Sequence, residues 1–168
     1  MKHLIVGPVG HGVTEYALGL ARATGAEVIR EETFGDSPLT GPVHVTFTDH
    51  LFGDTAERLL ARIDGPLSVS LHDIPQPEEG AERYARRARV YRELVEKAAV
   101  AVVNSNHEAS FFDAATTVIR LPIPVIDSPF DPEPGSVGVL GFLYPGKGHE
   151  DLILSLIHIS EPTRQEAI

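Results

Sequence analysis

The stretch HLIVGPVGHGVTEYALGLARATG, residues 3–25, spans a complete strand–loop–helix unit. Its run His3–Val6 is short, largely apolar and followed at once by Gly-Pro, which predicts a buried strand. Apolar side chains at helical spacing then predict a helix over 14–24, and Gly25 marks its end. A strand, a glycine-rich loop and a helix in this order are typical of the first unit of an α/β sheet.

The same alternation continues to about residue 120. Further strands are predicted at 26–30, 43–47, 67–71, 98–103 and 116–122, and further helices at 54–63, 78–97 and 106–114. Asp54 and Ser105 are suitable N-caps for the helices that follow them. Alternation of this kind implies parallel strands joined by right-handed crossovers. The sequence therefore predicts a Rossmann-like, doubly wound α/β domain over residues 1–120.

A proline-rich segment follows this domain. Residues 121–134, LPIPVIDSPFDPEP, contain five of the 13 prolines, so a stiff linker is predicted over 121–135. Residues 136–153 then have the pattern of a strand, a glycine-rich loop and the start of a helix. We expect them to be the first βα unit of a second Rossmann-like domain, one that is truncated.

The last residues have a different origin in our interpretation. LSLIHISEPTR, residues 154–164, resembles the translation of a transposase-end sequencing adapter, with all eleven codons matching in one frame. We therefore expect 154–168 to be a non-native, adapter-derived tail.

Composition narrows the class of protein. The 168 residues include 14 Lys and Arg against 24 Asp and Glu, a net charge of −10, which argues against binding nucleic acid by phosphate neutralisation. The absence of Cys excludes thiolate metal sites. No signal-peptide core or membrane-spanning run is present, so a cytoplasmic location is expected. Peripheral membrane contact and the oligomeric state stay open.

The first candidate site lies in the loop GPVGHG, which contains Gly10, His11 and Gly12. Glycines before a helix N-terminus let backbone N–H groups approach anionic oxygens. The spacing is G-x-x-G-x-G, whereas a dinucleotide loop has G-x-G-x-x-G, so an ordinary tight turn explains the pattern equally well. Glu31 and Glu32 lie about 20 residues on, where a ribose-binding acid would be found.

Further candidates follow the third and fourth strands. Asp49 and His50 follow one, and His72 and Asp73 follow the other, at the sheet edge where ligands bind in such folds. A neutral histidine there can bond a sugar hydroxyl. Together with His11, these histidines would also suit a metal ion, but they are far apart in sequence, so no metal site is expected. Each is also compatible with an ordinary loop or capping role.

Lys147 lies between two glycines, before a predicted helix. A lysine in such a loop can hold a phosphate. Gly148 stands where a P-loop requires Ser or Thr, so a P-loop is not expected, and a solvent-exposed loop lysine is the alternative.

Taken together, these motifs resemble a retaining GT-B glycosyltransferase of the family 4, group 1 type. The resemblance extends over about residues 3–153 and is carried by GPVGHGV, SLHDIPQ, AVAVVNSNHEA, RLPIPV and, most specifically, VGVLGFLYPGKGHEDLI. It implies two Rossmann-like domains, of which the first mostly receives the acceptor and the second holds a nucleotide-sugar. Cofactors and an essential metal are not implied.

The resemblance also implies roles for the candidate residues. The loop Gly10–Gly12 would lie near the donor phosphates, and His72 would act as the catalytic-site histidine that contacts the transferred sugar or the acceptor. Lys147 would neutralise the diphosphate leaving group. Asp49, His50 and Asp73 would lie on the acceptor side.

Two departures from the family pattern bear on activity. Phe142 follows Gly141 where the family usually has an arginine, and the acidic E-x7-E motif and nucleotide pocket would lie beyond residue 153. We therefore expect the chain by itself to be inactive.

Two alternatives stay open. One is an NAD(P)-dependent oxidoreductase or epimerase, which Gly7, Gly10, Gly12 and Glu31 favour and the lack of a Tyr-x-x-x-Lys motif disfavours. The other is a non-catalytic α/β binding module.

Overall fold

The computed structural model describes residues 1–53, 56–77, 80–122, 127, 131, 133–139 and 148–160. The chain divides into two compact units, Met1–Ile123 and Pro124–Ile168. Four residues singled out from the sequence, Asp54, Gly141, Phe142 and Lys147, lie outside the described residues.

The first unit is an α/β domain. Its strands are β1 (Lys2–Val6), β2 (Glu27–Glu31), β3 (Leu39–Thr40), β4 (Val43–Phe47), β5 (Ile63–Asp64), β6 (Leu67–Leu71), β7 (Val100–Val103) and β8 (Thr117–Val118). Six of them form one sheet in the order β2-β1-β4-β6-β7-β8, with every neighbouring pair parallel. The short strands β3 and β5 pair separately, also in parallel. The predicted Rossmann-like, doubly wound α/β fold is confirmed.

Helices connect the strands. They are α1 (Gly12–Thr24), α2 (Asp49–Phe52), α3 (Glu57–Arg62), α4 (Ala81–Lys97) and α5 (Asn106–Ala109). The predicted end of α1 is confirmed, because Gly25 adopts a left-handed conformation with φ 64° and its N–H bonds the last carbonyls. Ser105 caps α5 as predicted, since its Oγ accepts from the Glu108 N–H at 3.1 Å.

The two faces of the sheet differ in character. On one face, alternate strand residues such as Leu4, Val45 and Val69 join one large apolar cluster with α3 and α4. On the other face, Ile5 packs with Ala17 and Ala21 of α1 in a small cluster. Because strand side chains alternate between faces, most apolar burial lies on the side of α3 and α4.

The parallel arrangement places the carboxyl ends of the strands, where ligands bind in such folds, along one edge of the sheet. Every strand of the large sheet finishes at the same edge, and β1 is flanked by β2 on one side and by β4 on the other. The order in which strands are added therefore reverses between β1 and β4: the chain goes from β1 to β2 toward one edge, and from β4 to β6, β7 and β8 toward the other. Ligands of open α/β sheets bind beside this switch point, at the carboxyl ends of the strands.

Some short elements differ from the sequence expectation. The strands β3 and β5 and the helix α2 were not predicted, because two to four residues are too few to show a period. The helix predicted over 54–63 is observed as α3, and Ile63 enters β5 because its backbone pairs with Leu39. The strand predicted over 116–122 is limited to Thr117–Val118.

The second unit is described in part. Residues 136–139, where a strand was predicted, have no regular secondary structure. The described part of this unit offers no strand to pair with them, and an unpaired strand is not stable in water. A helix, α6 (His149–Ser160), follows Gly148. It continues through 154–160, and the adapter origin of that segment stays a prediction.

Gly7 allows α1 to approach the end of β1. Its φ is 120°, and a Cβ built on it would lie 2.7 Å from Thr14 Oγ1 and 2.9 Å from Leu51 Cδ1. The Thr14 hydroxyl donates to the Val6 carbonyl at 3.3 Å, so the helix is bonded to the strand that precedes it. Any side chain at Gly7 would separate these partners.

We expect Gly7→Ala to destabilise the chain by about 3 kcal/mol, from backbone strain together with overpacking. Gly10→Ala is the matched control: φ at Gly10 is 82°, but no atom lies within 4 Å of an added Cβ. Gly10→Ala should lower the free energy of unfolding by about 1 kcal/mol, because only the backbone conformation is unfavourable for alanine. Urea unfolding of both variants measures the difference, and equal losses would contradict the close-approach argument.

Candidate functional site

Four of the predicted residues come together at the carboxyl edge of the sheet. Asp49 and His50 begin α2 directly after β4, and His72 and Asp73 directly follow β6. The ring Nε2 of His50 lies 3.9 Å from Asp73 Oδ2. The structure therefore brings the loop after β4 and the loop after β6 together at this edge.

Arg87 of α4 joins the two loops and was not predicted from the sequence. Its guanidinium donates to both carboxylate oxygens of Asp49, at 2.7 and 2.9 Å. It also donates to the carbonyl of Asp73 at 2.7 Å and to its carboxylate at 3.0 Å. The signal in the sequence was a charged residue beside Ala88 and Tyr91 on the apolar face of a helix, where a charge requires a buried partner.

These contacts set the charge states at the edge. Burial by itself would raise the pKa of Asp49, but the hydrogen bonds and charge of Arg87 outweigh it, and the pKa is lowered. Burial, followed by the nearby Asp49 carboxylate, raises the pKa of Tyr91 far above its usual value. Asp49 is therefore a carboxylate at neutral pH, and the Tyr91 hydroxyl keeps its proton and can donate.

His72 is held neutral. Its side chain is 8% exposed, and its ring makes an edge contact with Tyr16 of α1, with centroids 4.7 Å apart. Burial lowers the pKa of His72 to about 4. Within the described part of the chain its Nε2 has no hydrogen-bond partner. A neutral imidazole with an unused nitrogen can bond a hydroxyl group.

A row of polar side chains continues from His72 along the face of the sheet that α1 covers. His44 bonds Ser68 at 2.8 Å and Ser70 at 3.2 Å, and His3 bonds the Thr46 hydroxyl at 2.9 Å. The two imidazole rings lie edge to face with centroids 4.7 Å apart. Burial is the main cause that lowers the pKa of both histidines to about 4.

The loop Gly10–Gly12 lies at the start of α1. Gly10 has a positive φ, and its N–H donates to the Glu15 carboxylate at 3.0 Å. His11 is the N-cap of α1 but makes no side-chain capping bond, and its Nδ1 is buried without a partner among the described residues. No described hydrogen bond or ion pair joins this loop to His72, so Tyr16 provides the contact between α1 and the histidine.

Glu31, the ribose-binding candidate of the oxidoreductase alternative, is engaged elsewhere. Its two carboxylate oxygens accept from Arg62 at 2.7 and 3.0 Å, and one of them also accepts from the Gly35 N–H at 2.9 Å. The Arg62 hydrogen bond is the main cause that lowers the pKa of Glu31. Arg62 and Arg58 lie over the Phe34 ring, 4.9 and 5.0 Å from its centroid.

Neither a metal-binding cluster nor a membrane-spanning helix is found among the described residues. No group of three or more His, Asp or Glu side chains there lies close enough to share a metal ion. None of the described helices combines the length and the apolar character needed to cross a bilayer. Lys147, the predicted phosphate-binding lysine, lies outside the described residues.

We expect stability to fall between about pH 6.5 and 4 because of the buried histidines. Their pKa values are lowered on folding, so the unfolded chain binds more protons in this window and acid favours unfolding. Glu31 and Asp49 add a further loss of stability at lower pH. Their pKa values are lowered in the folded chain, so these carboxylates stabilise it only while they are ionised. Urea unfolding across the pH range measures this dependence.

The double variant His3→Gln/His44→Gln should show a shallower slope over this window. His107→Gln, which changes an exposed histidine, should keep the slope of the unmodified chain. An unchanged slope in the double variant would contradict the buried-histidine explanation.

We expect Glu31→Gln to destabilise the chain by about 3 kcal/mol, since it leaves the charge of Arg62 buried and unpaired at 4% exposure. Asp36→Asn is the matched control: it removes the partner of Arg58, which flanks the same ring but is 51% exposed. No measurable change is expected there. Thermal or urea unfolding of both variants distinguishes them, and a small effect of Glu31→Gln would mean that water reaches Arg62.

Comparison with known proteins adds no identification: no family model, no curated protein and no solved structure matches the chain.

Proposed function

We propose that this chain contains the acceptor-side Rossmann-like domain of a retaining glycosyltransferase, which transfers a sugar from a nucleotide-sugar donor to an acceptor hydroxyl. One observation carries the proposal: a neutral, buried His72 lies at the carboxyl end of β6, one strand from the switch point. The motif resemblance supports the same conclusion independently of this geometry.

The chemistry assigned to His72 follows from its protonation state. An imidazole with a pKa of about 4 is neutral at physiological pH and can either donate a hydrogen bond to a sugar hydroxyl or accept one from it. His50 and Asp73 are more exposed, with side chains 69% and 55% accessible, and they can contact an acceptor at the surface. These roles place the transferred sugar near His72 and the acceptor near α2.

Donor binding is the part of the proposal that depends on the resemblance. In that assignment the N-terminus of α1 lies near the donor phosphates, and Lys147 neutralises the diphosphate leaving group, where negative charge develops in the transition state. The N–H groups of Gly10 and His11 are bonded to the Glu15 carboxylate and the Pro8 carbonyl, so the proposed donors to a phosphate begin at Gly12. A nucleotide-sugar and an acceptor are the proposed ligands, with no cofactor or essential metal.

The oxidoreductase alternative has less support than the transferase. Its ribose-binding acid would be Glu31, whose carboxylate oxygens are engaged by Arg62 and Gly35. A ribose hydroxyl would have to displace a buried ion pair. A non-catalytic binding module would use the same sheet edge and differs from the transferase only in turnover.

The proposal predicts that the source gene continues in frame past Asp151 into about 150–200 further residues, enough for a second domain, including a paired-acid motif. A long sequencing read across the codon for Leu154 tests this. The longer product should transfer sugar from a nucleotide-sugar, whereas the 168-residue chain should not, because positioning needs both domains.

His72→Gln in the longer product should lower kcat by about 10²-fold through the loss of a transition-state hydrogen bond. His107→Gln, at an exposed histidine, is the matched control and should leave kcat unchanged. A gene that stops after residue 168, or nicotinamide-dependent redox activity in the longer product, would refute the proposal.

A further inference from the structure

Two side chains of α4, Arg87 and Tyr91, form hydrogen bonds to the loops that follow β4 and β6. We call this pair of residues the clamp. Arg87 and Tyr91 lie four residues apart, so they point from the same side of the helix one turn apart. Arg87 holds the Asp49 carboxylate with two bonds and Asp73 with two more. The Tyr91 hydroxyl lies 2.8 Å from the carbonyl of His72 and 3.2 Å from both the carbonyl of Asp73 and Asp49 Oδ1.

The clamp is buried, so its polar groups cannot exchange their partners for water. Tyr91 is 0% exposed and Arg87 is 4% exposed. A buried guanidinium is tolerated only when carboxylates and carbonyls surround it, and Arg87 bonds the carboxylates of Asp49 and Asp73 and the carbonyl of Asp73. Arg87 has a planar fork of donors, which suits this bridging role better than a lysine would.

The main chain is held on both sides of His72, by β4 before the residue and by Arg87 and Tyr91 after it. The His72 N–H donates to the Phe47 carbonyl of β4 at 2.9 Å, and the His72 carbonyl accepts from Tyr91. The next residue, Asp73, has φ 54°, the one described non-glycine residue with a positive φ. That conformation is unfavourable for a residue with a side chain, and the bonds from Arg87 to Asp73 hold it in place.

The hydrogen bond from Tyr91 to His72 reaches the main chain of that residue, and the ring contact described for His72 is with α1. The ring faces α1, where Tyr16 packs against it, while Arg87 and Tyr91 bond the backbone behind it. The titratable groups that face the ring are Tyr16 on α1 and His44 on β4. The orientation of the ring therefore depends on backbone atoms that α4 bonds from one face of the sheet. The ring itself lies against α1, on the opposite face.

We propose that Arg87 and Tyr91 are positioning residues that set the orientation of the His72 ring at the ligand edge of the sheet. The inference rests on the proposed function only in taking His72 as the residue that contacts substrate. Neither positioning residue is expected to touch substrate, because their polar atoms are occupied by Asp49, His72 and Asp73.

A role in stability alone would have a different signature. If the clamp only stabilised the fold, substitutions would lower the unfolding free energy and leave His72 unchanged in the protein that remains folded. If the clamp positions His72, the ring moves in the folded protein as well. The resonance and titration of the His72 ring distinguish these cases without any ligand or turnover.

The test uses the 168-residue chain labelled with ¹³C- and ¹⁵N-histidine, and follows the His72 ring by NMR over the pH range in which each variant gives the resonances of the folded chain alone. Arg87→Met should shift the His72 ring resonances and raise its titration midpoint from about 4, with an increase in proton affinity on the order of tenfold, because a released ring reaches water. Tyr91→Phe, which changes no charge and keeps the aromatic ring, should shift the midpoint in the same direction by less.

Two further variants separate geometry from charge. Arg87→Lys keeps the charge but cannot bridge two carboxylates and a carbonyl, so it should resemble Arg87→Met. Arg89→Met removes an exposed arginine from the same helix and should leave His72 unchanged. If Arg87→Met does not fold, Tyr91→Phe and Arg87→Lys decide the question.

Folded variants with an unchanged His72 resonance and titration would overturn the proposal. So would a His72 shift in Arg89→Met equal to that in Arg87→Met, because the effect would then be one of charge alone. Failure of the transfer assay would leave this result intact, and failure here would leave the transfer assay intact, so the two proposals are separable.

Discussion

Parallel pairing is the constraint on which the rest of this structure depends. When every strand of a sheet runs the same way, each connection must cross the sheet, and all strand ends of one kind gather along one edge. Here that edge receives the loop before α1, the start of α2, and His72 with Asp73. The chemistry proposed for the chain is possible because topology brings together residues that are far apart in sequence.

The two faces of the sheet meet different physical demands. The face beneath α3 and α4 is apolar, and it provides most of the hydrophobic stabilisation. Two buried arginines belong to these helices among the described residues: Arg87 of α4 is neutralised by the carboxylates at the sheet edge, and Arg62 of α3 is neutralised by Glu31. The opposite face carries buried histidines and hydroxyls that satisfy one another. These groups are paired, as their desolvation requires, whereas the Nε2 of His72 at the end of the row has no partner among the described residues.

The sequence was informative wherever a pattern is local. The strand His3–Val6, the helix that ends at Gly25 and the cap at Ser105 follow from a few neighbouring residues, and the placement of His72 at a strand end follows from the fold. The partners of buried charges are not local: Arg87 bonds a residue 38 positions away, and Arg62 bonds one 31 positions away. No period in a single sequence reports such distances, so both arginines were missed.

The small cluster beneath α1 has a consequence for motion. Ile5, Ala17 and Ala21 are the buried apolar residues of that cluster, and alanine side chains bury little area, so the free energy that holds α1 to the sheet is modest compared with that holding α4. In proteins, segments with few buried apolar contacts open locally at lower free energy than the core around them. The helix that covers His72 is therefore expected to open locally at a lower free energy than α4.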